Sequence, residues 1–175
     1  PKSVVSGKKL ITSKHIKGNE IDFSSAYLIS NDDFYKINIR SAVEQWDVIV
    51  SMIGTIGLCY LEKNSKIDYA VKNVGLFKTG SEIEGKWLYY YLISSIGKKY
   101  LHSVKLGTTQ PYLTLDGLRK LPILVPENNF IKVKIINFLS ALDKRIYLNN
   151  NINQNLEATA RCIYDYWFLQ FDFPD

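Results

Sequence analysis

The feature that most constrains the fold is the stretch from residue 127 to residue 173, which contains neither glycine nor proline. Apolar residues recur in it at the first and fourth positions of a heptad repeat, and seven of the ten positions are apolar. The first series is Ile135, Leu142, Asn149, Leu156 and Ile163, and the second is Phe138, Arg145, Ile152, Thr159 and Tyr166. This repeat predicts one long helix with an apolar seam.

A helix from about residue 130 to residue 168 would be roughly 58 Å long. A domain of this size is too small to cover such a seam, so the seam predicts pairing with another helix, as in an antiparallel homodimer with two-fold symmetry. The alternative is that the helix packs across its own domain. The residues expected to form the dimer contact are Ile135, Phe138, Leu142, Asn149, Ile152, Leu156 and Ile163.

Asn149 allows two interpretations. The run from Asn149 to Asn151 has poor helix propensity, which predicts a kink or the end of a first helix. Asn149 also occupies a central position of the seam, where a polar side chain costs stability but penalises misaligned pairings. We expect it to set the register if the helix continues.

The sequence before residue 127 has a different pattern, in which short apolar segments are separated by residues that favour turns. The expected strands lie in the segments Leu10–Ile11, Tyr27–Ile29, Val48–Ile53, Leu58–Leu61 and Tyr69–Phe77, and Leu121–Val125 reads as a closing strand between two prolines. A helix is expected over Lys86–Ser103, and Thr114 is placed to cap a short helix. These elements predict an α+β fold, with a β-rich domain over residues 1–126 and a long coiled-coil-type helix within residues 127–175.

Charge is distributed unevenly between these two parts. Residues 1–125 carry 17 basic and 11 acidic side chains, whereas residues 126–175 carry 5 basic and 6 acidic ones. This asymmetry indicates that the first part binds an anion. Arg, Lys, Gln and Asn read base edges, while Lys, Arg, Thr and Ser hold phosphates. If the anion is DNA, the candidate contacts are Lys14, His15, Lys17, Lys98, Lys99, Lys105, Thr108, Thr109 and Gln110.

Gln110 is the preferred base reader, because its amide suits bidentate contact with adenine. Each candidate segment could instead be a solvated turn. Tyr112 could stack on a base or anchor its loop in the core, and the core is the expected position.

Nothing in the sequence indicates catalysis. There is no Asn-Pro-Pro-Tyr motif for adenine methylation and no glycine fingerprint for a nucleotide. His15 and His102 lack spaced partners for metal or nucleophile chemistry. Cys59 and Cys162 show no zinc-type spacing, and both are expected to be buried thiols in a reducing cytoplasm. No apolar run is long enough to span a membrane.

Three stretches in order resemble the specificity subunit of type I restriction–modification enzymes. The first is Trp46-Asp47-Val48-Ile49-Val50-Ser51-Met52-Ile53-Gly54-Thr55-Ile56-Gly57, similar to the family form G-D-I-x-x-S-x-x-G-T-x-G, with Trp46 in place of the usual glycine. The second runs from Gly107-Thr108-Thr109-Gln110 through Leu118 to Leu121-Pro122-Ile123 and Pro126. The third is Ile135 to Phe168, with Leu142-Asp143-Lys144-Arg145-Ile146 at the family's spacing.

The resemblance implies a non-catalytic subunit that recognises double-stranded DNA. Such subunits hold two methyltransferase subunits, which bind S-adenosylmethionine and methylate adenine, and restriction subunits can join the assembly. This chain itself is expected to hold no cofactor. A full family member has two recognition domains separated by an antiparallel helix pair, so the resemblance implies that a second copy supplies the other half. It does not distinguish a half-length subunit from a fragment of a longer one.

Two other classes of protein compete with this interpretation. A nuclease or methyltransferase fragment would need a carboxylate cluster or a cofactor loop, and Asp32-Asp33 and Glu62 have no convincing partners. A β-rich adaptor that dimerises through its helix without binding DNA is the main alternative. The recognised base sequence does not follow from the chain, because recognition loops follow no simple code.

Overall fold

The computed structural model describes residues 3–107 and 109–171. The chain divides into two compact units, Pro1–Lys132 and Val133–Asp175. The helices and strands together confirm the α+β fold class with its long C-terminal helix. The domain boundary after residue 126 stays a prediction.

The first unit contains all the strands of the described residues and four of their helices. The strands are β1 (Lys8–Ile11), β2 (Ile16–Lys17), β3 (Glu20–Ile21), β4 (Tyr27–Ile29), β5 (Val48–Ser51), β6 (Cys59–Leu61), β7 (Tyr69–Val71) and β8 (Val74–Phe77). The helices are α1 (Asn31–Ser41), α2 (Glu82–Ile93), α3 (Ser95–Ser103) and α4 (Leu115–Arg119). Helix α5 (Asn129–Tyr164) follows and ends in a π-helical turn, Asp165–Leu169.

Two three-stranded sheets and one small ribbon form the β structure. The first sheet has the order β4-β1-β7, with β1 antiparallel to β4 and parallel to β7. The second sheet is antiparallel with the order β6-β5-β8, and β2 pairs with β3 in the ribbon. Strand β5 is buried along its whole length. Its alternate residues serve two cores, since Val48 and Val50 pack with Leu92 on one side while Ile49 packs with Ile11 on the other.

Helix α1 was not predicted, since the sequence around it was interpreted as β-rich. Ser30 caps it by accepting a hydrogen bond from the backbone N–H of Asp33, and Asp32 and Asp33 complement the positive end of the helix dipole. No residue of this helix is fully buried. The capping signal was present in the sequence, but without a strong apolar stripe it was overlooked.

The single helix expected over residues 86–103 is wrong in two respects. The helical segment starts earlier, at Glu82, and it is divided at Ser94. Ser94 is the C-cap of α2 and also the N-cap of α3, where its hydroxyl accepts from the backbone N–H of Gly97. A Cβ at Gly97 would lie 2.1 Å from the carbonyl oxygen of Tyr91, so only glycine allows this close approach of the two helices.

The strand predicted over Leu121–Val125 is also wrong, because this segment pairs with no other strand. Pro122 has no backbone N–H to donate to a ladder. Instead, two side chains of α2 donate hydrogen bonds to backbone carbonyl oxygens of this segment. Tyr91 donates its hydroxyl to the oxygen of Pro122 at 2.6 Å, and the indole of Trp87 donates to the oxygen of Leu124 at 3.0 Å. The short helix capped by Thr114 is confirmed as α4.

Helix α5 runs without interruption through Asn149, Asn150 and Asn151. It has 36 residues, which corresponds to about 54 Å. The expected kink or helix end at the asparagines is therefore wrong. The other interpretation, that Asn149 is a polar residue within the seam and sets its register, stays a prediction.

Candidate nucleic-acid interface

Ser13 ties the 3₁₀ turn Ser13–His15 to the loop that follows β5. Its hydroxyl donates to the carbonyl oxygen of Asn73 at 2.6 Å and accepts from the backbone N–H of Met52 at 3.0 Å. The backbone N–H of Ile53 lies 3.4 Å from the same oxygen. Because Ser13 is buried, the neighbouring and exposed Lys14 is held beside this loop.

The loop over residues 52–57 is braced from within by Ser51. The Ser51 hydroxyl donates to the carbonyl oxygen of Thr55 at 2.6 Å and accepts from the backbone N–H of Leu58 at 2.9 Å. Gly54 and Gly57 have φ values of +78° and +79°, a region that other residues rarely adopt. The glycines allow the tight turn, and the loop tip presents Thr55 to solvent.

A small hairpin after α3 joins the same loop. Leu106 and Tyr112 exchange both backbone hydrogen bonds at 2.9 Å, and the backbone N–H of Leu113 donates to the oxygen of Met52 at 2.8 Å. Gln110 lies in the turn of this hairpin and is exposed. The predicted Gln110 loop and the predicted Lys14 turn are thus joined to one common loop, residues 52–57.

Helix α3 packs against this loop as well. A Cβ at Gly57 would lie 3.3 Å from a methyl carbon of Leu101, so the loop backbone passes close to the helix. Lys98 and Lys99 are exposed on α3, and the exposed Lys105 follows its end. We call the surface formed by residues 11–19, 50–61 and 96–115, without residue 108, the basic face.

The basic face carries positive charge without any carboxylate. Its three segments contain Lys14, Lys17, Lys98, Lys99 and Lys105, and no Asp or Glu. Lys17 lies opposite Glu20 in the β2–β3 ribbon, so the uncompensated positive charge comes from Lys14, Lys98, Lys99 and Lys105, and it attracts a polyanion over a range set by salt. The chemistry of the basic face therefore suits binding to a nucleic-acid backbone.

The predicted contact residues differ in their exposure to solvent. Lys14, Lys17, Lys98, Lys99, Lys105, Thr109 and Gln110 are exposed, and Thr108 lies outside the described residues. The Lys14 ammonium lies 2.8 Å from the Tyr27 hydroxyl and 4.0 Å from the centre of that ring. Tyr112 is 43% exposed, which corrects the expectation that it lies in the core. Whether these residues touch DNA stays a prediction.

His15 is fully buried, and this argues against the predicted contact with DNA. Its Nδ1 accepts from the backbone N–H of Thr12 at 2.8 Å, and its Nε2 lies 3.2 Å from the carbonyl oxygen of Ser25. The ring must therefore be neutral, with the proton on Nε2. Desolvation on burial lowers the pKa of His15, although the hydrogen bond to Ser25 opposes this. Through these two hydrogen bonds, His15 fixes the conformation of the turn that carries Lys14.

We expect the chain to lose stability as the pH falls from 8 to 5. A histidine whose pKa is lower in the folded state stabilises the fold above its ordinary value of 6.5, and this contribution disappears on acidification. Thermal unfolding across this range measures the effect. His15→Gln should flatten the profile, whereas the matched variant His102→Gln, at the only other histidine, should leave it unchanged. A steep wild-type slope that persists in His15→Gln would contradict the assignment.

The predicted seam of α5 is exposed in the single chain. The exposed fractions of its apolar side chains are 39% for Ile135, 66% for Phe138, 43% for Leu142, 54% for Ile152, 61% for Leu156 and 46% for Ile163. Asn149 is also exposed. Six exposed apolar side chains along one helix are typical of an interaction surface.

Other chemistry finds little support in the residues described. Among residues 3–107 and 109–171, no group of three or more His, Cys, Asp or Glu side chains is placed to hold a metal ion. Within the same residues, no helix is long and apolar enough to cross a membrane. Cys59 is buried as expected, and burial raises its pKa to about 12, but Cys162 is exposed on α5, contrary to expectation.

Two serines that organise the basic face were missed. Ser13 is not among the predicted contact residues, and Ser51 enters the sequence analysis only as part of the first family motif. A serine followed by two glycines at short spacing signals a hydroxyl-braced turn, which could have identified Ser51. Ser13 bonds to residues far away in sequence, so no local pattern could have revealed it.

These features define a β-rich unit with a lysine-bearing surface and a long helix that exposes an apolar seam. The chain belongs to the type I restriction modification DNA specificity domain family, whose model matches residues 3–158. It is 28% identical over 138 residues to the type I restriction enzyme HindI specificity subunit of Haemophilus influenzae, a match covering 76% of this chain and 30% of that subunit. The chain thus spans about a third of the length of this relative.

The fold is shared with a solved structure. The crystal structure of a type I restriction–modification system S subunit from M. genitalium matches 95% of this chain and 43% of that chain, with a TM-score of 0.57. At 17% sequence identity, this likeness shows the fold. The family resemblance expected from the three motifs is confirmed.

Proposed function

We propose that this chain recognises one half of a split DNA sequence for a type I restriction–modification enzyme and catalyses no reaction itself. The observation that carries this proposal is the basic face, where segments distant in sequence meet without a single carboxylate. Membership of the specificity-domain family supports duplex DNA as the polyanion.

The basic face offers two kinds of contact with DNA, one to phosphates and one to base edges. The exposed lysines are mobile point charges and suit phosphates. Gln110 presents a donor and an acceptor together, which suits the edge of an adenine in the major groove. The bonds from Leu113 and Ser13 to the 52–57 loop hold both kinds of contact in a fixed relation.

Gln110→Ala is expected to weaken binding to the recognised sequence by about 1 to 3 kcal/mol and binding to random duplex very little. Lys105→Ala should weaken both by similar factors and reduce the salt slope by about one. Both are measured by titrating labelled duplexes at several salt concentrations, with the methyltransferase subunit present. The recognised sequence is obtained beforehand by mapping methylated adenines in DNA modified by the assembled enzyme.

The two variants serve as controls for one another, because both positions are exposed and neither supports the core. Equal losses on specific and random DNA for Gln110→Ala would move this residue to the phosphate-contacting class. If the assembled complex binds duplex without salt dependence or sequence preference, the proposal fails, and the adaptor that dimerises without DNA becomes the better description.

The same proposal assigns partners to the rest of the chain. Methyltransferase subunits dock on it and hold S-adenosylmethionine in their own sites, and restriction subunits join the assembly in systems that cleave DNA. The seam of α5 pairs with a helix of a second copy in an antiparallel arrangement. The support for pairing is the exposure of the seam along an unbroken helix.

A further inference from the structure

Three exposed apolar side chains stand side by side on the basic face. Tyr112 forms antiparallel bridges with Ile53 on one side and with Leu106 on the other. The exposed fractions are 46% for Ile53, 43% for Tyr112 and 50% for Leu106. Single exposed apolar residues are ordinary on protein surfaces, but three in adjacent register form a patch. We call it the apolar row.

The pairing fixes the geometry of the row. Residues directly opposite in an antiparallel pair point to the same face, with Cα atoms about 4.5 to 5.5 Å apart. Two such steps make the row about 10 Å long. The floor of the major groove continues along successive base pairs, about 3.4 Å apart, so a row of this length lies along the groove over about three base pairs.

The row is also held firmly. Ser13 binds the backbone N–H groups of Met52 and Ile53, and Leu113 donates to the oxygen of Met52. Leu106 and Tyr112 exchange two backbone hydrogen bonds. A surface fixed in this way loses little conformational entropy when it binds.

The surroundings of the row identify its occupant as DNA. Lys105 is next to Leu106 in sequence, Gln110 lies in the same hairpin as Tyr112, and Lys14 follows the serine that holds Ile53. A protein partner would need carboxylates to complement this charge, whereas DNA supplies phosphates on both sides of the groove. The thymine C5-methyl is the apolar group that base edges display in the major groove.

We propose that Ile53, Leu106 and Tyr112 contact thymine methyl groups in the major groove and so determine part of the recognised sequence. This rests on the proposed function, and it adds an apolar reading element to the polar one at Gln110. The row selects A·T pairs by excluding water from a methyl group, while Gln110 selects by hydrogen bonds.

The test removes single methyl groups from the DNA. Each thymine of the recognised half-site, except the one opposite the methylated adenine, is replaced by deoxyuridine, which pairs identically but lacks the methyl. Burial of one methyl group corresponds to about a fourfold change in affinity. We expect at least one replacement to weaken binding of the wild-type complex by about this factor.

Variants then link the effect to the row. At each sensitive position, one of Ile53→Ser, Leu106→Ser and Tyr112→Ser should abolish the difference between thymine and deoxyuridine, according to which side chain contacts that methyl group. The matched control is Ile39→Ser, at a residue of α1 that is 83% exposed and lies outside the basic face, and it should preserve the difference. Thermal unfolding confirms that each variant is folded.

Two outcomes would overturn the inference while leaving the proposed function intact. One is sequence-specific binding that no deoxyuridine replacement affects, which includes a half-site with no further thymine. The other is a thymine preference that persists in all three serine variants. A complex without any sequence preference would instead overturn the proposed function.

Discussion

Replacing both Leu142 and Leu156 by alanine is expected to convert the chain from dimer to monomer. Both side chains lie in the exposed seam of α5, so a partner helix would bury them. Truncation of a buried leucine costs about 2 to 5 kcal/mol, and a symmetric dimer carries each substitution twice. Because only part of each side chain becomes buried on pairing, we expect an increase in the dissociation constant of at least about a thousandfold.

Sedimentation equilibrium measures this effect over a range of protein concentrations. The matched control replaces Lys144 and Gln154 by alanine, since both lie on the same helix away from the seam. It should leave the dimer intact. A wild-type chain that stays monomeric at high concentration would show that the seam does not pair with a second copy.

A substitution at Asn149 extends the same experiment to the register of the helix pair. The continuous helix places it within the seam rather than at a kink. If it sets the register, Asn149→Ile should raise the melting temperature and permit other oligomers in the same sedimentation runs. A lower melting temperature would contradict this role.

Patterns within a few residues of one another predicted their elements well. The heptad seam predicted α5, and Thr114 predicted the start of α4. Elements that depend on distant partners were predicted poorly. The segment Leu121–Val125 has strand-like composition, but its carbonyl groups accept from Trp87 and Tyr91, which no local pattern indicates.

In the candidate interface, too, local features were predicted from the sequence, whereas features that depend on distant residues were not. Residue type and loop position correctly selected exposed lysines and Gln110. The burial of His15 could not be foreseen, because it depends on the distant packing of the turn and on the carbonyl of Ser25. The convergence of the Lys14 turn with the Gln110 hairpin depends on hydrogen bonds between residues some 40 and 60 positions apart, Ser13 with Met52 and Met52 with Leu113.

Trp46 illustrates a family departure that the structure accommodates. The family form has glycine here, and Trp46 adopts a φ of +74°, which glycine would favour. Its carbonyl oxygen accepts from the Thr79 hydroxyl at 2.8 Å, and the Lys86 ammonium lies 5.6 Å from a ring centre. These contacts offset the backbone strain at the start of β5, where the neighbouring and buried Asp47 forms an ion pair with Lys78.

Asp47 is 1% exposed and depends on Lys78 for its charge balance. Asp47 precedes Val48 and Lys78 follows Phe77, and Val48 and Phe77 are cross-strand partners, so Asp47 and Lys78 lie opposite each other where β5 begins and β8 ends. The Lys78 ammonium lies 2.8 Å from Oδ2 of Asp47, which also accepts from the backbone N–H of Glu44 at 2.7 Å. Among the described residues, Oδ1 of Asp47 is buried without a hydrogen-bond partner.

Lys78→Met is therefore expected to destabilise the first unit by about 2 to 3 kcal/mol. Removing one partner of a fully buried pair costs about 3 to 5 kcal/mol because the remaining charge is uncompensated. The Lys78 side chain is 45% exposed, so water replaces it in part and the expected cost is smaller. Urea unfolding measures the change, with Arg119→Met as a control, since Arg119 pairs with the exposed Asp116 on its own helix, away from Asp47.

Two further results separate charge from packing. Asp47→Asn should recover part of the stability in the Lys78→Met background, since it removes the uncompensated charge. Burial alone would lower the pKa of Lys78, but its hydrogen bonds to Asp47 and Glu44 raise it. The pair thus stabilises the fold below the ordinary lysine value of 10.5 and loses this contribution as the pH rises through the folded-state pKa. The stability difference between wild type and Lys78→Met should shrink above that pH, and a constant difference would show that methionine perturbs packing rather than charge.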